Sequence, residues 1–132
     1  MKNLFLATAL LFAVTVLAPR SASAQQYTAG GQFNGCVTAA YGGSYNWLEF
    51  TNNCNQSLNI HWFWRNHDNS GSAGDARPGS SVDTGMSASE VRGHGGYELY
   101  VCPQGYIAVT GSGSFLSNGG SNPQPYKCKK EY

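Results

Sequence analysis

The chain has 132 residues, four cysteines, 17 glycines and a formal net charge of +1. Charged residues make up only 11% while aromatics reach 13%, so there is no basic field to neutralise a phosphate backbone, and nucleic acid is excluded as a partner class. Abundant Gly, Ser, Asn and rings describe a turn-rich extracellular β protein rather than a helical one.

Residues 1–24 read as a signal peptide. Lys2 supplies a short basic start, residues 4–18 an apolar run, and Ala22, Ser23 and Ala24 a small-residue cleavage site before Gln25. The run is too short for a membrane anchor and lacks a stop-transfer flank, so no membrane span is expected in the mature chain, which is assigned to the periplasm or the exterior. Residues 25–132 then form one β domain of about 108 residues with a single core. Without Lys2 and Arg20, six basic side chains stand against seven acidic ones, and the one Lys cluster is Lys127, Lys129 and Lys130 in the tail.

Cys36, Cys54, Cys102 and Cys128 all lie in the mature part. An even count in an exported chain argues for two disulfides with three possible connectivities. Folding of the first strands brings Cys36 near Cys54, which favours that bridge and leaves Cys102 with Cys128. Each contributes about 3 kcal/mol by loop entropy. No pair has the short spacing of a zinc site.

In chain order, residues 25–32 are a polar leader and residues 36–41 a first strand, followed by a turn at Gly42, Gly43 and Ser44. Residues 45–52 and 57–65 alternate as two strands around Asn53, Cys54, Asn55 and Gln56, and are expected to pair as a hairpin. The favoured register sets Leu48 against Trp62 and Phe50 against Ile60 on a core face. It sets Trp47 against Phe63, Glu49 against His61 and Tyr45 against Arg65 on the other. Residues 66–79, polar with Pro78 near the end, read as a long surface loop, and residues 80–83 as a short edge strand. Ser87 with Glu90 three residues later is a capping box, cut short by Gly93, Gly95 and Gly96. Residues 97–102 and 106–110 are strands expected to pair across Pro103, Gln104 and Gly105. Phe115 and Leu116 suggest a last short strand, and residues 119–124 a loop tied back by Cys128. The expected fold is all-β: a small disulfide-bonded antiparallel β-sandwich or barrel with one short helical turn. Phe50, Asn52 and Cys54 resemble the opening strand of thaumatin-like proteins, and Pro78 and Gly79 before a strand resemble a common sandwich feature. The many further cysteines of that family are missing, and no functional residue is carried over.

The functional expectation rests on the second face of the 45–65 region. Trp47 and Phe63, with Tyr45 and Tyr100 beside them, make an aromatic platform rimmed by Glu49, His61, Arg65 and Glu98, suited to the apolar faces and hydroxyls of sugars. The expected function is a secreted, non-catalytic binding domain for a glycan or other cell-surface ligand, with Tyr45, Trp47, Glu49, His61, Phe63, Arg65 and Tyr100 as ligand contacts. A rival reading is a ribonuclease-like hydrolase in which Glu49 orients His61 as acid or base and Arg65 meets an oxyanion or phosphate. A third uses the 66–79 loop as a protein-interaction or inhibitor element. No metal or cofactor is expected: His61, His67 and His94 lack ligand spacing, and Asp68 and Asp75 sit in an ordinary polar loop. Asn55, Gln56 and Ser57 form a glycosylation sequon in a turn.

Overall fold

The computed structural model describes residues 27–66, 71–116 and 125–131. The expected signal peptide, His67, Asp68 and the 119–124 loop lie outside them. The described strands are β1 (Tyr27–Ala29), β2 (Val37–Gly42), β3 (Trp47–Asn52), β4 (Leu58–Trp64), β5 (Gly71–Ala76), β6 (Ser81–Ser87), β7 (Tyr97–Pro103), β8 (Tyr106–Thr110) and β9 (Tyr126–Lys130). One helix, α1 (Ala88–Gly93), follows β6. Three antiparallel sheets result, ordered β2-β3-β6, β5-β4-β7 and β1-β9-β8.

The β5-β4-β7 sheet is the middle layer, because alternation along β4 and β7 sends apolar side chains to both faces. Leu58, Ile60, Trp62 and Trp64, with Val101, pack against Leu48 and Phe50 of β3 and Val91 of α1. Phe63, Tyr100 and Cys102 pack the opposite way, against Ala108, Leu116 and Cys128. Two cores result, where chain length suggested one. A fully buried ring such as Phe50, at 0% exposure, contributes about 1.5–3 kcal/mol through area removed from water.

The hairpin expected between residues 45–52 and 57–65 does not form. β3 pairs with β2 and β6, with Thr51 opposite Thr38 and Ser81, while β4 pairs with β5 and β7, with His61 opposite Ala73 and Tyr100. Phe50 and Trp62 do meet, but across the gap between two sheets, with ring centroids 5.5 Å apart. The cause lies in the turn. Asn52 is buried and its amide donates to Gln56 O (2.8 Å) and Ala76 O (2.9 Å), while its Oδ1 accepts from Cys54 N–H (2.8 Å). This peg and the Cys36–Cys54 bridge turn residues 53–57 into an arch that carries the chain to the next layer.

Other expectations are corrected in the same way. The 66–79 segment contains a full strand, β5, and the 25–32 leader contains β1, paired with β9. β8 does not pair with β7; it pairs with β9 in the third sheet. Phe115 makes a single bridge to Val109. The β2–β3 hairpin forms, its turn closed by Gly43 and Asn46 at φ 66° and 54°. The capping box also forms: Ser87 N–H donates to Glu90 Oε2 (2.8 Å), and the Ser87 side chain lowers the Glu90 pKa. Both disulfides join the favoured partners, Cys36–Cys54 and Cys102–Cys128, with Cα–Cα separations of 5.3 and 5.6 Å.

β5 escapes sequence reading because glycine lets it approach its neighbours. A Cβ on Gly71 would lie 2.5 Å from His61 Nε2, and one on Gly74 would lie 2.6 Å from Val82 Cγ1. Gly74→Ala is expected to cost about 1–3 kcal/mol through overpacking, read as a fall in Tm. Val82→Ala in the same chain should recover part of the loss. An unchanged Tm in Gly74→Ala would contradict the close approach of β5 and β6.

Candidate functional site

The residues singled out by sequence divide between two surfaces. His61, Phe63, Arg65 and Tyr100 share one face of the middle sheet with Glu98. Phe63 lies opposite Glu98 and His61 opposite Tyr100, and Arg65 continues the ladder by donating its N–H to Gly96 O (3.1 Å). This face is covered by the β1-β9-β8 layer. Phe63 is 2% exposed and Tyr100 0%, their rings meeting edge to face at 5.8 Å, with Tyr126 edge-on to Tyr100 at 5.0 Å. Glu98 is buried as well. Its Oε2 accepts from the Tyr100 hydroxyl at 2.7 Å, and its Oε1 has no hydrogen-bond partner among the described residues.

Tyr45, Trp47 and Glu49 belong to the outer face of the β2-β3-β6 sheet. Trp47 lies opposite Gly42 and Ser87, and Glu49 opposite Ala40 and Asp83. The platform of Trp47 beside Phe63 is therefore not assembled, and Glu49 does not meet His61. The hydrolase reading loses the contact that motivated it, since a carboxylate in another sheet cannot orient this imidazole.

The outer face has its own organisation. Tyr45, at the turn between β2 and β3, stacks on Trp47 with centroids 4.7 Å apart and planes at 22°. Tyr45 is 72% exposed, and Trp47 is half-buried. Glu49 leans over the Gly42–Gly43 backbone, where a Cβ on Gly43 would lie 2.9 Å from its Oε1. Asp83 stands directly across the ladder from Glu49, a like-charge pairing that works against strand association. Beside them Thr51 Oγ1 and Ser81 Oγ share a hydrogen bond of 2.8 Å. Asp83 and Ser81 were not anticipated, because β6, which carries them, becomes the neighbour of β3 only once β3 has left β4. No alternation within either strand signals that pairing.

Among the described residues no cavity opens and no group of three His, Cys, Asp or Glu side chains is placed to hold a metal ion. No described helix is long and apolar enough to cross a membrane. Asp75 accepts from Asn59 Nδ2 (3.1 Å) and Gln104 Nε2 (3.2 Å) at the exposed side of β5, and Asn55 of the sequon is exposed in the arch. Compared with known proteins, the chain matches no family model, no curated protein and no solved structure.

His61 is half-buried, its ring 4.6 Å from that of Phe63. Desolvation pulls its pKa below the ordinary value of 6.5. Folding thus favours the neutral imidazole, and the unfolded chain takes up the proton first as pH falls. This contribution to stability is full above about pH 6.5 and is lost as pH drops from there toward the folded-state pKa. Urea unfolding from pH 8 to 5 should show this decline, and His61→Gln should flatten it. An unaltered pH slope in the variant would contradict the assignment.

Proposed function

We propose that the chain is an exported, non-catalytic binding domain that meets a glycan or other cell-surface ligand on the outer face of the β2-β3-β6 sheet. The observation that carries this reading is the exposed Tyr45–Trp47 stack. Leaving a ring in water forgoes the gain from burying it, and a ring already held by a neighbour presents its free side to a ligand with little further loss of rotamer freedom. A sugar ring has an apolar C–H face that stacks on such a surface. Glu49, Asp83, Thr51 and Ser81 then lie close by as hydrogen-bonding groups for hydroxyls. Two disulfides suit an oxidising compartment, in keeping with export. Relative to the sequence expectation the ligand contacts contract to Tyr45, Trp47 and Glu49, joined by Asp83. His61, Phe63, Arg65 and Tyr100 act as supports beneath the other layer.

The test is retention of residues 25–132 on a glycan array and on insoluble polysaccharides. Tyr45→Ala should weaken binding about tenfold, the loss of one stacking contact of about 1.4 kcal/mol, while leaving Tm nearly unchanged because the ring is mostly in solvent. Trp47→Ala should weaken it further. Failure of the wild type to bind any glycan, or equal binding by both variants, would overturn the reading.

A further inference from the structure

Among the described residues β2 is an outer strand that pairs with β3 alone. The bond from Asn53 N–H to Cys36 O (2.8 Å) shows which of its backbone groups face β3. Hydrogen-bonded pairs alternate along an antiparallel ladder, so Thr38, Ala40 and Gly42 bond to β3. Val37, Ala39 and Tyr41 direct their N–H and C=O groups to the free edge. The side chains of these same three residues lie on the inner side of the sheet, opposite Asn52, Phe50 and Leu48. Ala39 and Tyr41 are nevertheless exposed, Tyr41 at 41%. The inner side of the sheet overhangs the layer beneath it here.

Unpaired edges are normally blunted by charge, proline, bulges or covering groups, and the other edges of this fold follow that rule. The Tyr126 hydroxyl accepts from Val101 N–H (3.0 Å) and lies 3.1 Å from Val101 O on β7. β5 carries Asp75, and β6 carries Asp83 and Gly85 at φ 70°. β8 is bridged at Val109 by Phe115, and β1 has three described residues. β2, with the sequence VTAAYG, has no charge, no proline and no register shift against β3. The Cys36–Cys54 bridge anchors the residue before it.

We propose that β2 pairs antiparallel with β2 of a second copy of this chain about a twofold axis at Ala39, joining two three-stranded sheets into one of six strands. Self-complementarity selects this occupant. Residues facing each other across a sheet must lie on the same side of it, so the axis passes through a residue. Centred on Ala39, each Val37 faces Tyr41 of the second copy, a β-branched and aromatic pair formed twice. The outward groups of Val37, Ala39 and Tyr41 are then all satisfied. Centred on Ala40, Tyr41 faces only Ala39, and the outward groups of Val37 find no partner within the strand. The added strand also covers the overhanging Tyr41. This pairing stands apart from the glycan reading, though it sets both Tyr45–Trp47 stacks on one outer face, roughly 25 Å apart by strand spacing and rise.

The test is sedimentation equilibrium of residues 25–132 with both disulfides formed, at concentrations up to about 100 µM, the regime of small interfaces. A monomer–dimer equilibrium is expected, with Tyr41→Lys raising the dissociation constant at least tenfold and Ala39→Pro doing the same by removing an outward N–H. Ala39→Cys supplies a second readout. Its two copies would have Cα atoms about 5.5 Å apart at the axis, within disulfide reach, so mild oxidation should give a covalent dimer. Thr38→Cys, displaced from its own copy along the strands, should not. A wild type that stays monomeric, a Tyr41→Lys variant that dimerises equally, or equal cross-linking of the two cysteine variants would overturn the proposal. A monomer that instead takes up an extended peptide along this edge would assign the edge to a foreign strand and equally overturn self-pairing.

Discussion

The buried amide of Asn52 governs how this chain is layered. Its side chain is wholly enclosed and satisfied on both ends, donating to Gln56 O and Ala76 O and accepting from Cys54 N–H. A buried amide left without partners costs about 1–3 kcal/mol per orphaned group, so this set of bonds holds strongly to one geometry. That geometry aims residues 53–57 out of the plane of β3. The chain crosses from the β2-β3-β6 sheet to the middle layer and does not fold back on itself. The Cys36–Cys54 bridge lies at the same corner and joins the start of β2 to the arch.

Once β4 has entered the middle layer, both of its faces are buried. Its even-numbered residues fill the core against β3, and Phe63 fills the second core with Tyr100 and the Cys102–Cys128 bridge. The glycines of β5 make this possible on the open side of β4, since any larger residue at Gly71 would collide with His61 and Phe63. Burial then changes what the polar residues on that face can do. Glu98 becomes an acceptor for the Tyr100 hydroxyl, and His61 is held toward its neutral form. Glu98 lies within the interior and His61 at its half-buried margin.

The outer sheet shows the opposite pattern. Tyr45 and Trp47 stack in contact with solvent, Glu49 and Asp83 oppose each other across a ladder, and β2 presents an uncharged edge with an uncovered tyrosine. None of these arrangements maximises the stability of an isolated domain. An exposed ring pair forgoes burial, facing carboxylates repel, and an open edge leaves backbone groups to water. Their concentration on one sheet, away from the two well-packed cores, is what gives that sheet its functional interest.

Much of the fold was legible in local pattern. Alternation located β2, β3, β4 and β7, the turn at Pro103, Gln104 and Gly105 located β8, the Ser87–Glu90 spacing located the helix cap, and an even count of four cysteines announced two bridges. β5 was hidden because Gly71, Ser72, Ala73 and Gly74 show no apolar alternation, their role being to let larger neighbours come close. The Trp47–Phe63 platform failed for a related reason. Alternation determines which side of a strand a residue occupies, and the even-numbered residues of β3 and β4 were assigned correctly to a core. It carries no information on whether two core faces meet side by side in one ladder or across the gap between two sheets, because both arrangements bury the same residues. By itself the sequence determined the all-β class, the disulfide-bonded character and the one core face shared by Leu48, Phe50, Ile60 and Trp62, all of them consequences of side-chain chemistry and a period of two. Tertiary structure alone decided which strands became neighbours, because that choice rests on the three-dimensional aim of one buried amide and on glycines whose meaning lies in what surrounds them.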